Sequence, residues 1–192
     1  MRSLEEPRFF LFQGLHVSTF ALDQIQAQLP QALVERYTDR AGDAWGVIAR
    51  EHIVEVAALV KAKLGFRLFI SMDAVDRLHL EPEQQDPRFE VLYFFKNIER
   101  NEHLRLKVRV NEDQEIPSIM KVYQGAEWGE RFCWDFYGIA FAGGIKRRIL
   151  MYEEFVGHPL RKDYPLRGRQ GLIPERPIKD IFRGPGTNGV QD

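Results

Sequence analysis

Residues 157–166 read Gly157-His158-Pro159-Leu160-Arg161-Lys162-Asp163-Tyr164-Pro165-Leu166, and no helix can run through them. Pro159 and Pro165 each remove a backbone donor and push the residue before them toward extended geometry. Three charges stand among the apolar anchors Pro159, Leu160, Tyr164 and Leu166. A stretch that is extended, charged and apolar at once makes a poor core and a good strap across a partner. Five of the ten prolines fall in the last 36 residues, so little regular structure is expected beyond residue 143. The folded body is therefore expected within residues 1–142.

The charge is divided the same way. Residues 1–142 hold 17 basic and 22 acidic side chains, net −5; residues 143–192 hold 10 and 6, net +4. A basic, proline-rich end on an acidic body suggests that this end meets an acidic surface. The whole chain is net −1, which argues against a general polyanion binder. Cys133 is the one cysteine. A single thiol makes no internal disulfide and cannot ligate an iron–sulfur cluster with cysteine partners. No apolar run approaches the roughly 18 residues of a membrane span, and Glu5 and Glu6 break any signal-peptide pattern. A soluble cytoplasmic chain is expected, held at a membrane only through other proteins.

Hydrophobic content of 44% with 14 Phe suffices for a real core. A short strand is expected near Phe9 to Phe12, then a helix over about 19–37, with Leu22, Ile25, Leu29, Leu33 and Val34 in helical spacing and Pro30 as its weak point. Ala44 to Ala49 reads as a strand. Glu51 to Leu64 is the clearest helix, stopped by Gly65. Phe66 to Met72 reads as a strand with Phe66, Leu68 and Ile70 inward, and 81–88 as a polar loop. Phe89 to Phe95 and Leu104 to Val110 predict an antiparallel hairpin; the second strand alternates Leu104, Leu106, Val108 and Val110 with Arg105, Lys107 and Arg109. A short helix from Pro117 through Tyr123 and a second from Glu127 to Tyr137, closed by Gly138, complete the body. The order predicts an α+β fold: a two-layer domain with a mixed or mostly antiparallel sheet and helices on one side, followed by the extended segment.

On the last helix, Trp128, Phe132 and Phe136 recur at i, i+4 and i+8, a stripe expected to pack in the core. Arg131 and Asp135 are four apart and expected to pair. Cys133 reads as a packed thiol rather than a nucleophile, since no oxyanion turn accompanies it. His158 precedes a proline and reads as a hydrogen-bonding anchor. The five histidines show no metal spacing, and there is neither a Walker sequence nor a G-x-G-x-x-G after a strand. The basic face of Arg105, Lys107 and Arg109, near Tyr93 and Phe95, keeps a nucleic-acid-binding sheet open as an alternative.

Three blocks carry a resemblance. Trp128, Glu130, Arg131, Asp135, Gly138, Ile139 and Phe141 match W-x-E-R-E-x-x-D-x-F-G-I-x-F; Arg147 to Leu150 match R-R-I-L; Gly157 to Leu166 match G-H-P-L-R-K-D-[FY]-P-L. In this the chain resembles the 30 kDa subunit of respiratory NADH:quinone oxidoreductase, complex I. Two departures are visible: Phe132 replaces the Glu after Glu-Arg, and Gly143 to Lys146 shortens the family's G-H-P-D-L. The resemblance implies the same two-layer fold and a non-redox structural role in the peripheral arm, on the cytoplasmic side of the membrane. It implies hetero-oligomeric packing beside the quinone-site (49 kDa-like) subunit and near cluster-bearing subunits. NADH, FMN, iron–sulfur clusters and quinone would all be bound by partner subunits, with no cofactor and no catalytic residue in this chain. No nucleic acid is then expected. Residues 143–192 would wrap the partner. The implied contacts are Glu130, Arg131, Asp135, Arg147, Arg148 and His158, with Arg161, Lys162 and Asp163 pairing across the interface and Leu160, Tyr164 and Leu166 filling pockets. An equivalent subunit of a membrane-bound hydrogenase-type complex is the alternative the resemblance leaves open.

Overall fold

The computed structural model describes residues 16–17, 19–80, 86–167 and 170. The expected strand near Phe9, residues 81–85 of the polar loop and the end of the chain lie outside the described residues. The predicted hairpin is the centre of the molecule. Strands β5 (Phe89–Asn97) and β6 (Glu102–Val110) pair antiparallel, with Tyr93 opposite Leu106. Phe89, Val91, Tyr93 and Phe95 bury on the same face as Leu104, Leu106, Val108 and Val110. Strict alternation sends every second residue to one face, so this register admits one core side only.

β4 (Leu68–Asp76) adds antiparallel to β5. β3 (Ala44–Ile48) adds parallel to β6, and β2 (Leu33–Thr38) antiparallel to β3. The short β1 (His16–Val17) also pairs parallel with β6, giving a mixed sheet of order β2-β3-β6-β5-β4. Helix α1 (Thr19–Gln28) lies on the core face over Gly46, where a Cβ would stand 2.6 Å from Leu22 Cδ2 and 3.2 Å from Leu106 Cδ2. Helix α2 (Ile53–Ala62) follows a 3-10 turn at Arg50–His52 and buries Ile53, Val56, Ala57 and Val60. Gly65, at φ +79°, then reverses the chain as a left-handed residue can. β7 (Glu115–Pro117) and β8 (Ala140–Ala142) form a small parallel pair that brackets α3 (Ala126–Tyr137). The α+β class, the mixed sheet and the hairpin agree with expectation.

Four expectations are corrected. Leu33 and Val34 belong to β2, not to the first helix: α1 stops before Pro30, and the following residues find a ladder on β3 instead. Leu68 and Ile70 point outward rather than inward, because a bulge between Phe69 and Ser71 shifts the alternation and sends Met72 and Ala74 to the core. Residues 118–125 form turns, not a helix. Ser118 donates its N–H to Ala142 O, and both Val122 and Tyr123 donate to Ile119 O. The aromatic stripe on α3 is only in part a core face: Phe132 packs partly buried against the core, but Trp128 is 60% exposed, and the fully buried positions are Ala126, Glu130, Cys133 and Asp135. At Gly129 a Cβ would run into the Met72 side chain, so the helix makes its closest approach to the sheet through a small residue, with Phe132 and Tyr137 packed partly buried beside it. Among the described residues no helix or strand follows Ala142.

Candidate functional site

The last turn of a helix leaves carbonyls without intrahelical donors. In α3 these carbonyls organise the strap. Gly138 takes φ +76°, and its N–H bonds Trp134 O at 2.9 Å while Ile139 N bonds Cys133 O at 3.4 Å. That glycine cap leaves Asp135, Phe136 and Tyr137. The Asp135 carbonyl accepts from Arg148 Nη1 and His158 Nδ1, each at 3.0 Å. Phe136 O accepts the Leu160 N–H at 3.1 Å, and Tyr137 O accepts Arg161 Nε. The segment 157–161 is thus a helix cap supplied by the chain's own return after α3. The segment is not extended as expected: Pro159 and Leu160 form a turn closed by the Arg161 N–H on His158 O at 3.2 Å, and a second turn closes from the Tyr164 N–H to Arg161 O at 3.1 Å, so that the groups on either side of Pro159 reach successive carbonyls. A Cβ on Gly138 would lie 2.6 Å from both His158 Nε2 and Arg161 Nη2, so this close approach requires glycine. Two guanidinium groups at the negative end of the helix also complement its dipole.

The Asp135 carboxylate is the second anchor. Its side chain is fully buried. Oδ2 accepts the N–H groups of Ile149, Leu150 and Met151 at 3.0, 3.0 and 3.1 Å, and Oδ1 accepts Arg148 Nη1 at 2.8 Å. Burial works to raise the Asp135 pKa, but the Leu150 N–H, the Arg148 guanidinium and the Ile149 and Met151 N–H groups together hold it below the usual carboxylate range. Arg148 also donates to Phe155 O and Gly157 O at 2.6 and 3.1 Å, and lies over the rings of Trp134 and Phe155. The expected Arg131–Asp135 pair does not form. Arg131 instead donates to Arg148 O at 2.8 Å and faces Glu127 at 3.7 Å. A buried carboxylate needs several donors, and the 148–151 turn supplies four where Arg131 would supply one or two.

The other end of the strap is fastened to the sheet. Arg88 bonds Asp76, Glu112 and Asp163, the last at 3.0 Å. Arg161 Nη1 bonds Glu112 at 2.9 Å, and the Lys162 N–H bonds Asp76 Oδ2 at 2.8 Å. Arg88 holds the Asp163 carboxyl below the usual range. Arg161 and Asp163, expected to pair with a partner, therefore pair within this chain. The reason is local supply: the body already presents Glu112 and Arg88 at the strap. Tyr164 is likewise taken up internally, stacking on Phe155 at 5.9 Å. The residues that sequence reasoning missed are Asp76, Arg88 and Glu112. They lie far from the strap in sequence, and no spacing rule connects them to it.

The strap's outward side chains are different in kind. Leu166 is 85% exposed, Val156 74% and Leu150 66%; Leu160 and Ile145 are each 43% exposed. Arg147 is also exposed, with Glu153 at 3.8 Å. His158 is half-buried; burial pushes its pKa down against the Asp135 carbonyl bond, and Arg161 and Arg148 push the same way. Glu130 faces away from the strap. Only 2% exposed, it accepts Ser118 Oγ at 2.7 Å and the Ile119 N–H at 2.9 Å, and burial raises its pKa despite those bonds. Cys133 is buried with its thiol pushed well above its ordinary value, first by burial, which suits packing and not nucleophilic attack.

The basic face of β6 is spent as well. Arg105 pairs with Asp43, Lys107 with Glu90, and Arg109 with both Glu90 and Glu35. A phosphate backbone would have to displace each of these carboxylates.

Comparison with known proteins gives a consistent family. Residues 47–170, which include the whole clasp, match the family described as "Respiratory-chain NADH dehydrogenase, 30 Kd subunit". A Geobacter sulfurreducens protein, named as the C subunit of NADH-quinone oxidoreductase, is 40% identical over 129 residues, covering 66% of this chain and 77% of its own. A Rhizobium rhizogenes protein of the same name is 34% identical over 154 residues, covering 77% and 74%. Among solved structures, a trypsin-resistant fragment of Nqo5 aligns with TM-score 0.57 at 25% identity, covering 65% of this chain and 98% of its own. A chain of the membrane-bound sulfane sulfur reductase, an archaeal respiratory membrane complex, aligns with TM-score 0.61 over 88% of this chain and 94% of its own. At 22% identity that likeness speaks to the fold alone.

Proposed function

The chain belongs to the family of the respiratory-chain NADH dehydrogenase 30 kDa subunit, and from that membership we propose that it is a structural, non-redox subunit of NADH:quinone oxidoreductase. It packs in the peripheral arm beside the quinone-site subunit and near the cluster-bearing subunits. The assembly passes electrons from NADH through iron–sulfur clusters to quinone and couples this to proton translocation. NADH, FMN, clusters and quinone are held by the partners. One buried thiol in 192 residues provides no electron carrier.

One observation carries the reading. Asp135, Arg148, His158, Arg161 and Asp163 spend their polar groups inside the chain, whereas Leu150, Val156 and Leu166 stand out in solvent. A monomer gains nothing by fixing a frame this thoroughly to expose leucines; a docking surface gains preorganisation, because the entropy of ordering the loop is met before binding. Among the described residues no helix is long and apolar enough to cross a membrane. The chain sits peripherally, on the cytoplasmic side, held there through its partners.

The test is affinity purification of the chain from gently solubilised native membranes, with mass spectrometry and a Leu166→Asp variant alongside. The expected result is recovery of NADH-dehydrogenase, iron–sulfur and quinone-site subunits with NADH:quinone activity. The variant should recover several-fold less at an unchanged thermal midpoint of the isolated chain. Recovery of the chain alone overturns the proposal. A nickel–iron hydrogenase set would move it to the equivalent subunit of a related complex, a reading supported so far only by the fold shared with the sulfane sulfur reductase chain.

A further inference from the structure

A cleft of about 570 Å³ lies between the end of β4 with its following turn and the strap. Val75 and Leu80 form one wall, Leu160 the other, and Tyr137 of α3 lines it as well. The three aliphatic side chains are each 40–45% exposed, and all line the same space. The polar lining is unbalanced. Among the described residues Asp76 is the one acidic residue lining it, and its buried carboxylate already accepts Arg88, the Lys162 N–H and the Leu78 N–H. The Lys162 ammonium and the His79 imidazole, both on the cleft, have no ion pair or hydrogen bond among the described residues. His79 is also held at φ +74°, a left-handed conformation that a residue with a Cβ adopts at a cost.

We propose that this cleft receives a protein segment from a neighbouring subunit: an apolar side chain seated between Leu160 and Val75, with an adjacent Asp or Glu facing Lys162. Charge complementarity selects the occupant. Asp76 on the cleft wall is unavailable to a cation, and the Lys162 ammonium, unpaired among the described residues, is available to a carboxylate. The apolar walls ask for a side chain of leucine size beside it. The proposal rests on the reading of the chain as a docked subunit and adds a second anchoring point, distinct from the outward leucines at 150 and 166.

The test uses the intact assembly in native membranes. A benzophenone-bearing amino acid is placed at Val75, or at Leu166 as a control, and cross-linked peptides are sequenced after irradiation. The expected product at Val75 joins it to another subunit, at a peptide with Asp or Glu within three residues of the linked position. Lys162→Glu should lower that yield roughly fivefold and leave the Leu166 product unchanged. The Lys162 ammonium makes no ion pair or hydrogen bond among the described residues, and the unchanged Leu166 product reports that the strap stays in place in the variant. Cross-linking at Leu166 but not Val75 overturns the cleft and leaves the docking proposal standing. So does a Val75 product within this chain or with a second copy, a linked peptide without an acidic residue, or a yield that Lys162→Glu does not move. Absence of products at both positions overturns both proposals.

Discussion

Replacing Asp135 with Asn tests the clasp most directly. The two side chains have nearly the same volume, so packing is preserved while the charge is lost. Asn offers one carbonyl oxygen and an NH2 group. If the oxygen faces Ile149, Leu150 and Met151, the NH2 meets the Arg148 guanidinium, donor against donor. If it faces Arg148, three backbone N–H groups lose their acceptor. The first arrangement is cheaper, since Arg148 retains the carbonyls of Asp135, Phe155 and Gly157. Removing one member of a buried ion pair costs about 3–5 kcal/mol. With those acceptors in reserve, the lower end, about 3 kcal/mol, applies. Because the strap can open without the sheet, the cost should appear as local opening. Hydrogen exchange by mass spectrometry should show the amides of 149–151 exchanging roughly a hundredfold faster, as about 3 kcal/mol requires. Amides of β5 and β6 should be unchanged. The same change made on an Arg148→Met background should cost less, because the pair is already broken. Acceleration below about threefold, or full additivity of the two changes, would refute the assignment of Asp135 as the anchor.

Three further outcomes are expected. The Asp135 pKa lies below its ordinary value of 3.8 in the folded chain and returns to it on unfolding. Its contribution is therefore complete above that value and is lost as pH falls through the lower folded value; protection of 149–151 should fall below about pH 4 in the native chain, and Asp135→Asn should lack that component. Gly138→Ala should cost about 2–3 kcal/mol by urea unfolding, because alanine must hold φ +76° and its Cβ meets His158 and Arg161 at 2.6 Å; a cost under about 0.5 kcal/mol would contradict the close approach. Glu130→Gln should stay within about 1 kcal/mol of the native chain, since burial already disfavours the charged form, whereas Glu130→Ala should cost about 2–3 kcal/mol by stranding the Ile119 N–H and Ser118 hydroxyl; equal costs for both would show that the charge matters.

The parts of the fold that sequence reveals are those where periodicity is long and unbroken. Leu104 to Val110 alternates without a fault, and Ile53 to Leu64 keeps one helical face, so both elements are legible. β4 is not, because a bulge leaves no mark in composition, and one extra residue inverts inward and outward beyond it. The buried face of α3 is hidden for another reason. Hydrophobicity weighs Trp128, Phe132 and Phe136 heavily, yet close packing on Met72 selects Gly129, and the small Cys133 one turn on is fully buried. At the site, the strap is visible as a unit because two prolines and three charges fall in ten residues. Its bonding is not. Asp76 and Lys162 are 86 residues apart, and only the fold brings them together. The i, i+4 spacing of Arg131 and Asp135 does establish proximity, but proximity does not decide pairing when a buried carboxylate has four other donors.

This division changes how the Gly157–Leu166 stretch should be interrogated. Its side chains do two jobs that sequence alone merges. His158 and Arg161 cap α3, and Asp163 bonds Arg88, all within the chain. Leu160, Lys162 and Leu166 face outward, toward the cleft or solvent. Loss of assembly in Arg161→Ala is then not evidence that Arg161 touches a partner. Removing it leaves Tyr137 O without its donor and Glu112 with Arg88 alone, and frees the strap, so that the outward leucines lose their fixed spacing. Leu166→Asp should weaken assembly with the amides of 149–151 fully protected, whereas Arg161→Ala should weaken it only to the extent that the strap opens. Restoring the strap by another route, such as a designed disulfide between the strap and the body, should therefore rescue Arg161→Ala and leave Leu166→Asp defective. If the disulfide rescued neither, Arg161 would have to act on the partner itself, and the capping bond to Tyr137 would be incidental to assembly.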